Sequence, residues 1–179
     1  MTIRRVLRMG DPLLRQMARR MNVDEIGSAV TMALVADMVD TLHDYGGIGL
    51  AAPQVGESVR LAIIEIEGGP TRYGQLEAMP LTVFVNPEIE VLGNESAGYW
   101  EGCLSVPGLR GLVERPQHVL VRYTTITGAA AELELQGFAA TVFQHEFDHL
   151  DGKLFVDRMT DMSFLSFERE YERFHVETD

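Results

Sequence analysis

The chain has 179 residues, a formal net charge of −12 at pH 7, 46% hydrophobic residues and one Cys. That length suits one domain, residues 1–179, with a core of its own, and the acidic balance argues against direct binding to nucleic acid or an anionic membrane. The lone Cys excludes an internal disulfide framework and fits a reducing cytoplasm, while no apolar run approaches the roughly 20 residues of a membrane span.

From the N-terminus, Met1-Thr2-Ile3-Arg4-Arg5 has Arg but no apolar segment after it, so no signal peptide is expected. Gly10-Asp11-Pro12 reads as a turn, with Asp11 placed to start a short helical turn at Pro12. The spacing predicts a first long helix over 23–45, since Ile26, Val30, Ala33, Leu34, Met38, Leu42 and Tyr45 recur three and four apart. Asn22 or Asp24 would cap it and Gly46-Gly47 would end it. His43 falls on a solvated or rim position. The stretch 47–56 is small and apolar, with one amide, Gln54. Gly47-x-Gly49-x-x-Ala52 fits the loose dinucleotide-binding pattern, but that motif follows a strand and opens a helix. Here it follows a helix and is interrupted by Pro53 and Gly56, so a loop lying close to a ligand, with Gln54 aimed at it, fits better.

Residues 59–66 read as a strand, 67–80 as a Gly- and Pro-rich loop, and 81–92 as a strand broken at Pro87. Glu101-Gly102-Cys103-Leu104-Ser105 follows, Val106-Pro107-Gly108 turns the chain, and 118–126 with 131–136 reads as a hairpin. Gly137 precedes a helix over 138–150. On it Val142, His145, Glu146 and His149 share one face, while Phe143, Phe147 and Leu150 share the other and should enter the core. Phe164, Phe167, Tyr171 and Phe174 recur at helical spacing, predicting a C-terminal amphipathic helix over 163–175 with a core-packed aromatic stripe.

The chemistry centres on His145-Glu146-x-x-His149. Residues four apart on a helix lie one above the other, so two imidazoles can bind one ion, with a carboxylate beside them to take a proton from water. A catalytic site of this type uses three protein ligands. The continuation His149-x-x-Gly152-x-x-His fails because Phe155 stands at the last position. Two others remain: a downstream carboxylate from Glu168, Glu170 or Glu172, as in a zinc endopeptidase, or the thiolate of Cys103. A solvated helix face explains the glutamates equally well, and a lone Cys is usually a small buried hydrophobe. A third possibility is an inert binding protein on the same fold.

Three stretches together carry a resemblance. Gly47-Ile-Gly-Leu-Ala-Ala-Pro-Gln54, Glu101-Gly-Cys-Leu-Ser105 and Gln144-His-Glu-Phe-Asp-His149 resemble the three motifs of peptide deformylases, in that family's order. The runs Val6–Arg15 and Asp151–Arg158 are similar to it as well. The resemblance implies an α+β fold, with antiparallel β-sheets packed around the motif-bearing helix. It implies Cys103, His145 and His149 as ligands of one divalent metal ion: Fe(II) in the cell, with Zn(II), Ni(II) or Co(II) also suitable. Glu146 would be the base and then the acid, and Gln54 with the Leu104 N–H would hold the oxyanion. Ile48, Tyr99, Phe138 and Val142 would line an apolar pocket for the Met side chain. Backbone at Ile48, Gly49 and Gly102 would meet the peptide, Arg110 would reach it further along, and Arg115 would partner Glu101. The implied reaction removes the formyl group from formyl-Met on new polypeptides, with nascent chains at the ribosome as partners.

Overall fold

The computed structural model describes residues 2–71 and 73–176. In the N-terminal arm Asp11 caps a 3-10 turn over Pro12–Arg15, its carboxylate accepting from the Leu13 N–H at 3.0 Å. The first helix, α1, is Ala29–Tyr45, shorter than the 23–45 read from spacing. Residues 23–27 form turns, because Gly27 adopts a φ of +72° that no right-handed helix contains. Ser28 then caps, accepting from the Thr31 N–H at 3.2 Å, in place of Asn22 or Asp24. Val30 consequently lies 80% exposed, while Leu34, Val35, Met38 and Leu42 carry the buried stripe.

The strands are β1 (Gly49–Ala51), β2 (Leu61–Ile66), β3 (Gly69–Thr71), β4 (Gly74–Leu76), β5 (Met79–Val91), β6 (Ser96–Cys103), β7 (Val106–Pro116), β8 (His118–Thr124) and β9 (Ala130–Gln136). Helix α2 is Gly137–Asp148, continued by a 3-10 turn over His149–Asp151. Near the C-terminus come β10 (Leu165–Phe167) and α3 (Glu168–Phe174). All pairings between these strands are antiparallel, in sheets ordered β1-β2-β5-β8-β9, β10-β7-β6 and β3-β4. Strand β2 is buried on both sides, and its alternation serves two cores. Ala62 and Ile64 face the cluster with Phe143, Phe147 and Leu150 of α2, while Leu61 and Ile63 face the cluster built on α1. The five-stranded sheet thus lies between the two long helices, an α+β arrangement with the motif-bearing helix against one face.

Four local readings change. The segment 67–80 is not all loop: β3 and β4 form a hairpin, anchored by buried Leu76. The chain reverses at Leu104-Ser105 rather than at 106–108, since Cys103 pairs directly with Val106 and a two-residue turn closes the hairpin. The stretch 47–56 contains the edge strand β1 before a 3-10 turn over Ala52–Val55. The aromatic stripe of 163–175 is not core. Phe164, Phe167 and Phe174 are 38, 68 and 65% exposed, and only Tyr171 of the four is buried. The chain there is a 3-10 turn, a strand and a seven-residue helix, so Phe164, Phe167, Tyr171 and Phe174 do not form one continuous helical face.

At Pro87 the expected break is a register shift between Val85 and Glu88, with Asn86 at a φ of +50°. Its buried amide accepts from the Met21 N–H at 2.8 Å and donates to the Met21 carbonyl at 2.9 Å, tying the N-terminal arm to the sheet.

Candidate metal centre

The end of β6 meets the C-terminal part of α2 and the 3-10 turn that continues it. Cys103 contributes its sulfur, and His145 and His149 their imidazoles; one ligand atom from each lies within 4.8 Å of the others. Cys103 Sγ and His149 Nε2 are 3.3 Å apart. His145 turns Nδ1 to Glu101 Oε2 at 2.7 Å, leaving Nε2 for the centre. His149 is almost wholly buried, and its Nδ1 has no hydrogen-bond partner among the described residues. A thiol and two imidazoles packed together are a donor set for a borderline-soft divalent ion, and a site of three protein donors leaves a position for water.

The electrostatics agree. Burial alone would raise the Cys103 thiol, but the neighbouring imidazoles outweigh it and hold the group well below its ordinary range. Burial opposes the charge on His145 as well, yet Cys103 and Glu101 hold it well above the usual imidazole value. Glu146 goes the other way: burial raises its carboxyl beyond the pull of the two imidazoles, and among the described residues Oε2 has no hydrogen-bond partner.

Behind His145 runs a buried ionic chain. Arg115, 3% exposed, donates to both Glu101 oxygens at 2.6 and 3.0 Å and to Asp148 Oδ2 at 2.8 Å. Asp148 also accepts from Arg158. The pairing of Arg115 with Glu101 is as read from the sequence. Asp148 and Arg158 were not singled out there; the one available signal was an acid between Phe147 and Leu150, on a helix whose neighbours enter the core. Arg158 ends the Asp151–Arg158 run that resembles the family, but no role was read for it.

A cavity of about 510 Å³ opens over this centre. Its lining includes Ile48, Gly49, Gln54, Gly102, Leu104 and Arg110, and also Phe138, Val142, His145 and Glu146. Tyr99 is not in the lining. It stands behind Phe138, with ring centroids 5.2 Å apart, and its hydroxyl donates to Gln117 Oε1 at 3.1 Å. Tyr73 of the β3–β4 hairpin packs against both rings, 4.6 Å from Tyr99 and 4.9 Å from Phe138, which the reading of 67–80 as loop did not anticipate. Gln54 is pinned: its Oε1 accepts from the Ala51 N–H at 2.8 Å, so Nε2 points to Ser105 Oγ at 3.2 Å and Cys103 Sγ at 3.7 Å.

The downstream glutamates hold no place in the centre. Glu168 pairs with Arg110, and Glu170 and Glu172 are exposed. Among the described residues, Cys103, His145 and His149 are the one group of three or more His, Cys, Asp or Glu placed to hold an ion.

Residues 3–164 match the family model described as polypeptide deformylase. The chain belongs to that family. Peptide deformylase 1 of Nitrosomonas europaea is 45% identical over 162 residues, 89% of each chain. Peptide deformylase 2 of Pseudomonas syringae pv. tomato is 44% identical over 165 residues, 92% of each. Among solved structures, the Met-Ala-Ser-bound class I type b peptide deformylase of Acinetobacter baumannii aligns with a TM-score of 0.81 at 38% identity, covering 88% of this chain and 99% of that one.

One glycine of this deformylase is set by the site itself. A Cβ on Gly49 would fall 2.4 Å from Glu146 Cδ and 2.6 Å from its Oε1. Gly49→Ala should therefore displace the carboxylate, lowering kcat by about 10²-fold, the cost of a misplacement near 1 Å. Metal content should stay at the wild-type level. Metal analysis beside steady-state kinetics checks this, and unchanged kcat would mean that Glu146 tolerates the shift.

Proposed function

We propose that this deformylase hydrolyses the N-formyl group from the formyl-Met terminus of newly made polypeptides, acting as a single domain with one divalent ion held by Cys103, His145 and His149. The observation that carries the reading is the convergence of that donor set, Glu146 and the pinned Gln54 amide on one cavity. When bound, the ion supplies a Lewis acid that acidifies a water molecule. Fe(II) is the ion we assign in the cell; Zn(II), Ni(II) and Co(II) suit the same thiolate and imidazole donors.

The chain's own residues divide the remaining work. Glu146 accepts a proton from the attacking water, a task suited to a carboxyl that burial has pushed above its ordinary range. Gln54 Nε2 and the Leu104 N–H stabilise the negative charge developing on the formyl oxygen; one such donor is worth roughly 3–4 kcal/mol of barrier. Glu146 then passes its proton to the departing amine as the C–N bond breaks, giving formate and a free N-terminus. Ile48, Phe138 and Val142 receive the Met side chain, with Tyr99 buttressing Phe138. Strand β1 is the last strand of its sheet, so its outer edge can pair with an extended peptide at Ile48 and Gly49, and Gly102 contacts the peptide from the opposite wall. Arg110 reaches residues further along. Nascent chains in the cytoplasm, at the ribosome, are the source of such peptides. No helix among the described residues is long and apolar enough to cross a membrane.

The test is formate release from formyl-Met-Ala-Ser after loading with Fe(II), Ni(II) or Co(II). Chelation should stop release, and one equivalent of metal should restore it. No release with any of the three ions would overturn the assignment.

A further inference from the structure

At the mouth of the cavity, charged groups from distant parts of the chain come together. Arg110 lies across the backbone of Gly102, so that a Cβ there would fall 2.1 Å from Arg110 Nη1. Glu168 Oε1 accepts from Arg110 Nε at 3.1 Å and from Nη2 at 2.5 Å. Strand register sets up this meeting: β10 pairs with β7, with Ser166 opposite Arg110, and Glu168 follows two residues on. Both side chains line the cavity and remain 36 and 42% exposed, within reach of a substrate. Arg8, from the N-terminal arm, lines the same cavity and makes no ion pair among the described residues.

We propose that Glu168 is a specificity-determining residue, which holds Arg110 over Gly102, cancels its charge, and so biases the enzyme against acidic residues following the formylated one. This rests on the deformylase reading above. Among the described residues, the mouth with Glu168 in place carries one unpaired guanidinium, that of Arg8; without Glu168 there are two. Both hydrogen bonds from Arg110 fall on Oε1, which leaves Oε2 to accept from a basic side chain of the peptide. The C-terminal segment, whose aromatic stripe does not enter the core, thereby brings a carboxylate to the substrate's path.

The experiment compares kcat/KM on C-terminally amidated formyl-Met peptides carrying Glu or Lys at the second or third position. Glu168→Gln should raise the Glu-to-Lys ratio about five-fold, as expected for one partly solvated unit charge, with the change carried by KM. High salt should shrink it, because exposed charges are screened. Arg110→Gln added to Glu168→Gln should reverse the gain, and Glu168→Asp should restore most of the wild-type ratio. A folded Glu168→Gln protein with an unchanged ratio overturns the proposal. If Glu168→Gln loosens α3 and loses all turnover, Arg110→Gln alone carries the test: it leaves Glu168 uncompensated and should lower the ratio, and no change again overturns it. Wild-type protein that releases formate from none of these peptides overturns the deformylase reading instead.

Discussion

Glu146→Gln should keep one equivalent of metal and lose formate release by about 10²–10⁴-fold, the usual contribution of a positioned general base. Glu146 is not one of the three donors, and the amide fills the same space, so the centre should persist. What disappears is the proton acceptor. The carboxyl is buried, with Oε2 unpartnered among the described residues, and burial raises its affinity for a proton. Below that raised pKa the wild-type group is protonated and cannot accept, so the rate should fall on the acid side. Metal analysis together with kcat decides the matter. Turnover within ten-fold of wild type would assign the base elsewhere, and lost metal would make Glu146 part of the centre's support.

The second large effect should come from Arg115→Met. This guanidinium links Glu101, which orients His145, to Asp148, between the two motif histidines. The Glu101 and Asp148 side chains are 5 and 7% exposed, so removing Arg115 deprives two desolvated carboxylates of their shared partner. Breaking a buried pair costs about 3–5 kcal/mol, which for a chain of this size lowers Tm by roughly 6–20 °C. The exposed pair of Arg122 with Glu90, both 51% exposed, sets the contrast: its loss should cost about 0–1 kcal/mol. Burial raises both buried carboxyls, but His145, Arg115 and Arg158 more than offset it and hold them below the ordinary range. Their contribution is therefore complete above about pH 5 and is lost as the pH falls through the folded-state values. Arg115→Met should also weaken metal binding by about 10–100-fold, since Glu101 loses the group that holds it against His145. Thermal melts and competition with a chelator check both effects; an unchanged Tm would mean that the carboxylates find other partners.

Much of the site was legible because its parts are local. The four-residue spacing of His145 and His149 and the single Cys are properties of short stretches, and helix geometry turns the first into a shared face. Boundaries were read less well. Gly27 and Ser28 decide where α1 begins through a backbone angle and a cap, and apolar spacing upstream carries no information about either. The aromatic repeat of 163–175 misled for a related reason: its period matches a helix, but pairing with β7 draws residues 165–167 into a strand.

The sequence by itself carried the His145-Glu146-x-x-His149 spacing, the single Cys and the three deformylase-like motifs, which rest on residue identity and near-neighbour spacing, and the α+β expectation came with that resemblance. Only the tertiary structure gathered the candidate donors at one point. Cys103 and His149 are distant in the chain and come within 3.3 Å because β6 and α2 pack together. It also placed Tyr99 behind Phe138, linked Arg115 to Asp148 and Arg158, and brought Glu168 to Arg110. Those contacts depend on sheet register and on burial from several elements at once, and a linear pattern of residue types encodes neither directly.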